Sequence, residues 1–291
     1  MTRWGALPVD PAAMHCSLPA ALADVLRVEA AAVPGATALL GEHPVWSAAH
    51  GGLIWVDIDA GLVQLTTVEG LTTTVFSSAG AVGAALPTAD GALIVLASEG
   101  VLKLTAGAEP VVLADPPGSG FRFNDAALDP SGRVWAGVLP TNTVEDGFAE
   151  QGELWRLDDD GHWEIVLTEM GCPNGIAWSL DGRTMLFCES DSRRLAVADY
   201  DPHTGVATDW RVAWQFDGPG DWVPDGVEWL ADGRLWIAFW GLSTAVRFAA
   251  DGRPELAIGT ADERATSMTV DPRGELWVTS AAGLARVSSL S

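Results

Sequence analysis

The chain has 291 residues, 48% of them apolar and 19% charged, which is ample for one buried core. Its 39 acidic against 16 basic residues give a formal net charge of −23, which argues against nucleic acid and anionic membrane as partners. The surplus is compatible with a bound cation, although a solvated surface accounts for most of these carboxylates.

Residues 1–8 lack a basic segment followed by an apolar run, so no secretory signal is read there. No apolar stretch approaches the roughly 20 residues that span a bilayer. Residues 1–24 read as an N-terminal extension, with Ser17 as N-cap and Pro19 in the first turn of a short helix. The segment 25–31 has strand-like composition. Cys16, Cys172 and Cys188 form an odd count without CxxC spacing. In a hairpin turning at Asp181-Gly182, Cys188 falls opposite about residue 176 and not 172, so reduced thiols in a cytoplasmic protein are expected.

From residue 42 onward a pattern recurs. Asn124, Asn174, Asp225, Thr266 and Gly83 each stand eight positions before a turn glycine, and Glu42 opens a sixth copy with a slightly longer turn. The starts 42, 83, 124, 174, 225 and 266 are spaced by 41, 41, 50, 51 and 41 residues. Each copy reads as a β-hairpin. In the clearest, Val227 and Trp229, then Leu235, Ile237 and Phe239, alternate with small or polar residues around Asp232-Gly233. Six such units of about four strands predict an all-β, six-bladed β-propeller, a single domain over residues 25–291. Trp55, Trp135, Trp236 and Trp277 share one place in the repeat, as inter-blade packing residues do. The two chain ends are expected to share the closing blade, with segment 25–31 completing the blade begun at Thr266, because an unpaired terminal blade leaves sheet edges exposed.

Two Gly/Pro-rich loops, 114–121 and 216–224, and a polar insertion at 140–151 precede or interrupt blades three and five. They gather on the face where the first residues of the repeats gather, as pocket-building loops do. Equivalent positions of a propeller converge on its axis, so Glu42, Asn124, Asn174 and Asp225 should face one another there. Two carboxylates pressed together repel and raise a pKa unless a cation lies between them. Oxygen donors without a partnering His or Cys favour a hard divalent ion, Ca²⁺ first, with Mg²⁺ or Mn²⁺ also accommodated. Arg122, two residues before Asn124, can point the same way and hold a substrate oxygen. His43 is expected to face away from Glu42. The five scattered histidines and the lack of a Gly-x-Ser-x-Gly motif argue against a histidine zinc site and a serine hydrolase.

Gly41-Glu-His-Pro-Val-Trp46, Arg122-Phe-Asn-Asp125, Pro173-Asn-Gly-Ile-Ala-Trp-Ser179, Pro224-Asp-Gly226 and Leu276-Trp-Val-Thr-Ser280 together resemble the senescence marker protein/gluconolactonase/luciferin-regenerating enzyme family. The resemblance implies one catalytic divalent metal (Ca²⁺, Zn²⁺, Mn²⁺ or Mg²⁺) held by Glu42, Asn174 and Asp225. It also implies Asp225 as acid/base, and Arg122, Asn124 and a position near Asn142 as substrate contacts. The family pattern has Glu-Gly-Pro where this chain has Glu42-His43-Pro44. The implied reaction is opening of a small-molecule lactone, a sugar-acid lactone above all. A hydrolase of another ester or a phosphotriester, or a non-enzymatic calcium-binding propeller, remains open at this point.

Overall fold

The hairpin of the fifth repeat shows how these residues become strands. In the computed structural model, which describes residues 1–141, 151–158 and 160–288, Val227 pairs with Ile237 and Trp229 with Leu235. The Asp232 carboxylate accepts the Arg234 amide at 3.1 Å, and Gly233 takes φ +85°, a backbone that residues with a Cβ rarely adopt. Aspartates at the equivalent turns of the third and sixth repeats are buried at 4% and 3% exposure. Asp129 takes the Ser131 and Arg133 amides at 2.8 Å, and Asp271 takes those of Arg273 and Glu275 at 2.8 and 3.0 Å.

Six sheets are formed by the described residues. Their innermost strands are Gly41–Ser47, Val82–Pro87, Phe121–Leu128, Pro173–Trp178, Val223–Trp229 and Ala265–Val270. Each packs against the next and the sixth packs against the first, closing a six-bladed propeller. Two 3₁₀ turns, Trp4–Ala6 and Ala20–Leu22, are the helical elements among the described residues, and no helix there is long and apolar enough to cross a membrane. The core lies between blades. Trp55, Trp135, Trp236 and Trp277 are fully buried, and Trp55 and Trp277, from the first and last blades, share one apolar cluster. Cys16, Cys172 and Cys188 are all free and buried.

The N-terminal third of the first hundred residues behaves differently from expectation. Leu26–Glu29 does not complete the last blade; it pairs in parallel with Pro254–Gly259, the outer strand of blade five. The closing strand is Ala31–Thr37, antiparallel to Gly283–Val287, so the two chain ends do share a blade. Upstream, Thr2–Arg3 adds a parallel strand to blade three and Val9–Ser17 adds one to blade four. The chain thus straps three successive outer edges before entering the closing one. In place of the expected helix, Ser17 continues this strand and its hydroxyl bonds the Asp217 carboxylate; only the turn Ala20–Leu22 follows. Edge strands offer a full row of free amide and carbonyl groups, and that long-range pairing outweighs a local capping signal.

Trp4 anchors the strap. It is buried, meets Phe187 edge-on at 5.7 Å between ring centroids, and donates from Nε1 to Ser192 Oγ at 3.0 Å. We predict that Trp4→Ala lowers unfolding free energy by about 3 kcal/mol, the usual cost of deleting a buried Trp. Chemical denaturation checks this, and a loss below about 0.5 kcal/mol would show that the strap does not share the cooperative fold.

Candidate active site

The innermost strands are not regular. Pairing with the second strand slips between Glu42 and Val45 in blade one, Phe123 and Ala126 in blade three, Pro173 and Ile176 in blade four, and Pro224 and Val227 in blade five. Each slip is a β-bulge that brackets a residue expected at the axis or its neighbour. A bulge breaks strict alternation and re-aims a side chain, so consecutive residues here can both face the axis. Glycines make the crowding possible. A Cβ on Gly175 would lie 2.8 Å from the Asp225 carbonyl oxygen, and one on Gly226 would overlap the Ser267 side chain. The strands can therefore approach closely only with hydrogen at these positions.

The bulges bring together Glu42, Asn124, Asn174 and Asp225, all buried at 5–7% exposure. Asn174 donates from Nδ2 to Ser190 Oγ at 3.0 Å, which turns its Oδ1 toward Asn124 Nδ2, also 3.0 Å away. Asn124 Nδ2 further reaches Pro173 O at 2.9 Å, and its Oδ1 accepts Arg122 Nη1 at 2.8 Å. Arg122, Asn124, Asn174 and Ser190 thus form one hydrogen-bonded row across blades three and four. Burial lowers the Arg122 pKa, with Glu42 among the anions that oppose the shift. Burial holds the Cys172 thiol well above its usual range, so it stays a neutral neighbour of Asn174, 3.7 Å from Nδ2.

Two acids oppose this row. Burial pushes Glu42 up to about 8, with Asp125 adding to the effect. Asp225 is raised well above the ordinary carboxylate range by burial, then by Glu42 and Asp125. Glu42 Oε2 accepts the His43 amide at 2.8 Å, whereas Asp225 Oδ1 is buried with no hydrogen-bond partner. An orphaned carboxylate oxygen is costly in a dry interior. Such a set, two carboxylates raised by burial and an amide oxygen, fits a hard divalent cation. Among the described residues no three His, Cys, Asp or Glu side chains form a metal cluster.

His43 does not face away. The bulge after Glu42 turns its ring onto the axis, where Nδ1 meets Asp125 Oδ1 at 2.7 Å. Asp125 itself was not singled out in the sequence; its place directly after Asn124 in a bulged strand was the available signal. Loops 114–121 and 216–224 lead into innermost strands at the end carrying the site, and Trp222 pins the second by donating to Pro219 O at 2.9 Å. Asn142 and most of the 140–151 insertion lie outside the described residues.

Residues 40–282 match the family described as SMP-30/Gluconolactonase/LRE-like region. Pentonolactonase XacC of Haloferax volcanii is 31% identical over 250 residues, spanning 84% of this chain and 82% of its own. Regucalcin of Sus scrofa is 30% identical over 211 residues, 71% of this chain and 70% of its own. Among solved structures, a luciferin-regenerating enzyme superposes with TM-score 0.78 at 22% identity, covering 88% of this chain and 94% of that one. A calcium-binding regucalcin from Agrobacterium tumefaciens gives 0.78 at 23% identity, covering 90% and 94%. At these identities the two structures share the fold with this chain.

The raised carboxylates make stability depend on pH in a definite direction. Between the ordinary Glu value and about 8, the native state binds more protons than the unfolded chain, so the Glu42 contribution is complete below pH ~4.5 and lost as pH rises through about 8. Asp225 acts in the same sense. We predict that in chelator the melting temperature falls from pH 5.5 to 8.5, a loss on the order of 3 kcal/mol. Calorimetry should find the slope reduced in Glu42→Gln; a flat or rising profile in the unmodified protein would contradict the assignment.

Proposed function

The chain belongs to the SMP-30/gluconolactonase/LRE-like family, and from that premise we propose that it is a metal-dependent lactonase acting on sugar-acid lactones. Glu42, Asn174 and Asp225 would hold one divalent cation, with calcium the first choice for oxygen donors. The observation that carries this reading is the orphaned Asp225 Oδ1, buried beside a second carboxylate that raises its pKa. A cation bound there would supply Lewis-acid polarisation of the lactone carbonyl and stabilise negative charge on its oxygen.

The remaining work falls to this chain's own groups. Asp225, with a carboxylate already inclined to take a proton, accepts one from the attacking water and returns it to the ring oxygen as the ester bond opens. Arg122 commits Nη1 to Phe123 O and Asn124 Oδ1, so its plane is fixed and its outer nitrogen is offered to a substrate oxygen. Asn124 keeps Asn174 oriented and presents the wall that a ring hydroxyl would meet. Asn142 is the further proposed substrate contact. A neutral lactone enters an acidic protein without penalty, while the carboxylate product is repelled.

A panel of hexonolactones, pentonolactones, a simple aryl ester and a phosphotriester, assayed with chelator and with added Ca²⁺, Mn²⁺, Mg²⁺ or Zn²⁺, tests the reading. Lactone opening that disappears in chelator and returns with metal is expected. Asp225→Asn should lower kcat by roughly 10²–10⁴, the range for losing general acid–base catalysis. Turnover indifferent to chelator, or an Asp225→Asn variant with unchanged kcat, would overturn it.

A further inference from the structure

The axis does not end at the metal-type site. All six innermost strands run the same way along it, and in the four that contribute to the site the site-level residue comes first. The residues that follow line a cavity of about 280 Å³ on the far side: His43 and Val45 after Glu42, Asp125 after Asn124, Ile176 after Asn174, and Glu228 after Asp225. The chamber is thus coaxial with the candidate active site and separated from it by about one residue layer, in which the imidazole of His43 lies.

Its polar lining is one-sided. No Lys or Arg is among the described residues that line it. His43 Nδ1 meets Asp125 Oδ1 at 2.7 Å, which leaves Nε2 as the ring's other polar atom. His43 is 9% exposed and Nε2 has no hydrogen-bond partner. Glu228 accepts Thr269 Oγ1 at 3.3 Å and the Val270 amide at 3.0 Å, but it has no ion-pair partner among the described residues. Burial pushes its carboxyl up to about 7, as expected for an acid lacking a counter-charge. Apart from Ser267, the rest of the wall is apolar, with Val45, Leu86, Ile176 and Met268 contributing.

We propose that this chamber is a second ligand site, for a small organic cation with at least two N–H donors and a short apolar body, such as a protonated primary amine or an alkylguanidinium. Glu228 pairs with the charge, His43 Nε2 accepts a second N–H, and the apolar wall covers the alkyl part. The dimensions and the apolar wall favour an organic ion over a bare metal, and the absence of a three-ligand metal cluster among the described residues agrees. The acidic surface raises the local concentration of any cation. The site is independent of the lactonase reading, because it needs neither metal nor turnover.

Calorimetric titration in chelator, with n-butylguanidinium, n-butylammonium, neutral n-pentanol and butyrate as probes, tests it. Saturable 1:1 binding of the guanidinium at about 1 mM or tighter is expected, with the neutral and anionic isosteres at least about tenfold weaker. Glu228→Gln should weaken the cation by about tenfold or more through loss of the charge. Val45→Phe, which keeps Glu228 but fills the chamber, should abolish binding while melting as a folded protein, and it decides the matter if Glu228→Gln does not fold. No saturable binding, equal affinity for pentanol, indifference to both substitutions, or displacement of the guanidinium by simple K⁺ or Ca²⁺ would overturn the proposal.

Discussion

Two carboxylates from distant parts of the chain are forced into one dry space, and much of the molecule follows from that constraint. Glu42 and Asp225 lie in different blades, yet burial raises both, and Glu42 adds to the reluctance of Asp225 to ionise. Nothing in local sequence would hold them together. The closed ring does, since six strands converging on one axis leave their equivalent positions nowhere else to go. A rigid scaffold can maintain an unfavourable pair that a single sheet would relax by twisting apart.

The bulges are the means by which the ring serves chemistry. A regular strand would send alternate side chains to the axis and the rest into the sheet face. The slips at Glu42–Val45, Phe123–Ala126, Pro173–Ile176 and Pro224–Val227 present two adjacent residues instead. Four blades thereby contribute one residue to the metal-type layer. Blades one and three add His43 and Asp125 just below it, where their side chains meet. Blades four and five place Gly175 and Gly226 at the same level, which lets their backbones close in.

Much of this was legible in the chain. The fixed offset between a polar residue and a turn glycine gave the blade number and the axial convergence, because both depend on local hairpins that sequence records well. The direction of His43 was not legible, since period-2 reasoning assumes an unbroken ladder and the bulge breaks it. Gly175 and Gly226, each directly after an axial residue, were the visible trace of those bulges. The path of residues 1–29 was also hidden. A strand-like segment states that it wants an edge, but not which of several equivalent edges it will find, and here it takes three before closing the ring.

His43 joins these threads. It adopts φ +50°, a conformation that costs a residue with a side chain on the order of 1 kcal/mol and that glycine takes freely. A buried contact to Asp125 offsets that cost, and the same backbone turn aims the His43 amide at Glu42 Oε2. One residue therefore orients a candidate ligand carboxylate with its main chain and lies between the site and the chamber with its side chain. With glycine there, the amide could still turn toward the carboxylate, but no ring would stand below it and the axial space would run on. The ring that stands between the Glu42 carboxylate and the chamber is thus carried on a backbone geometry that glycine would satisfy without strain.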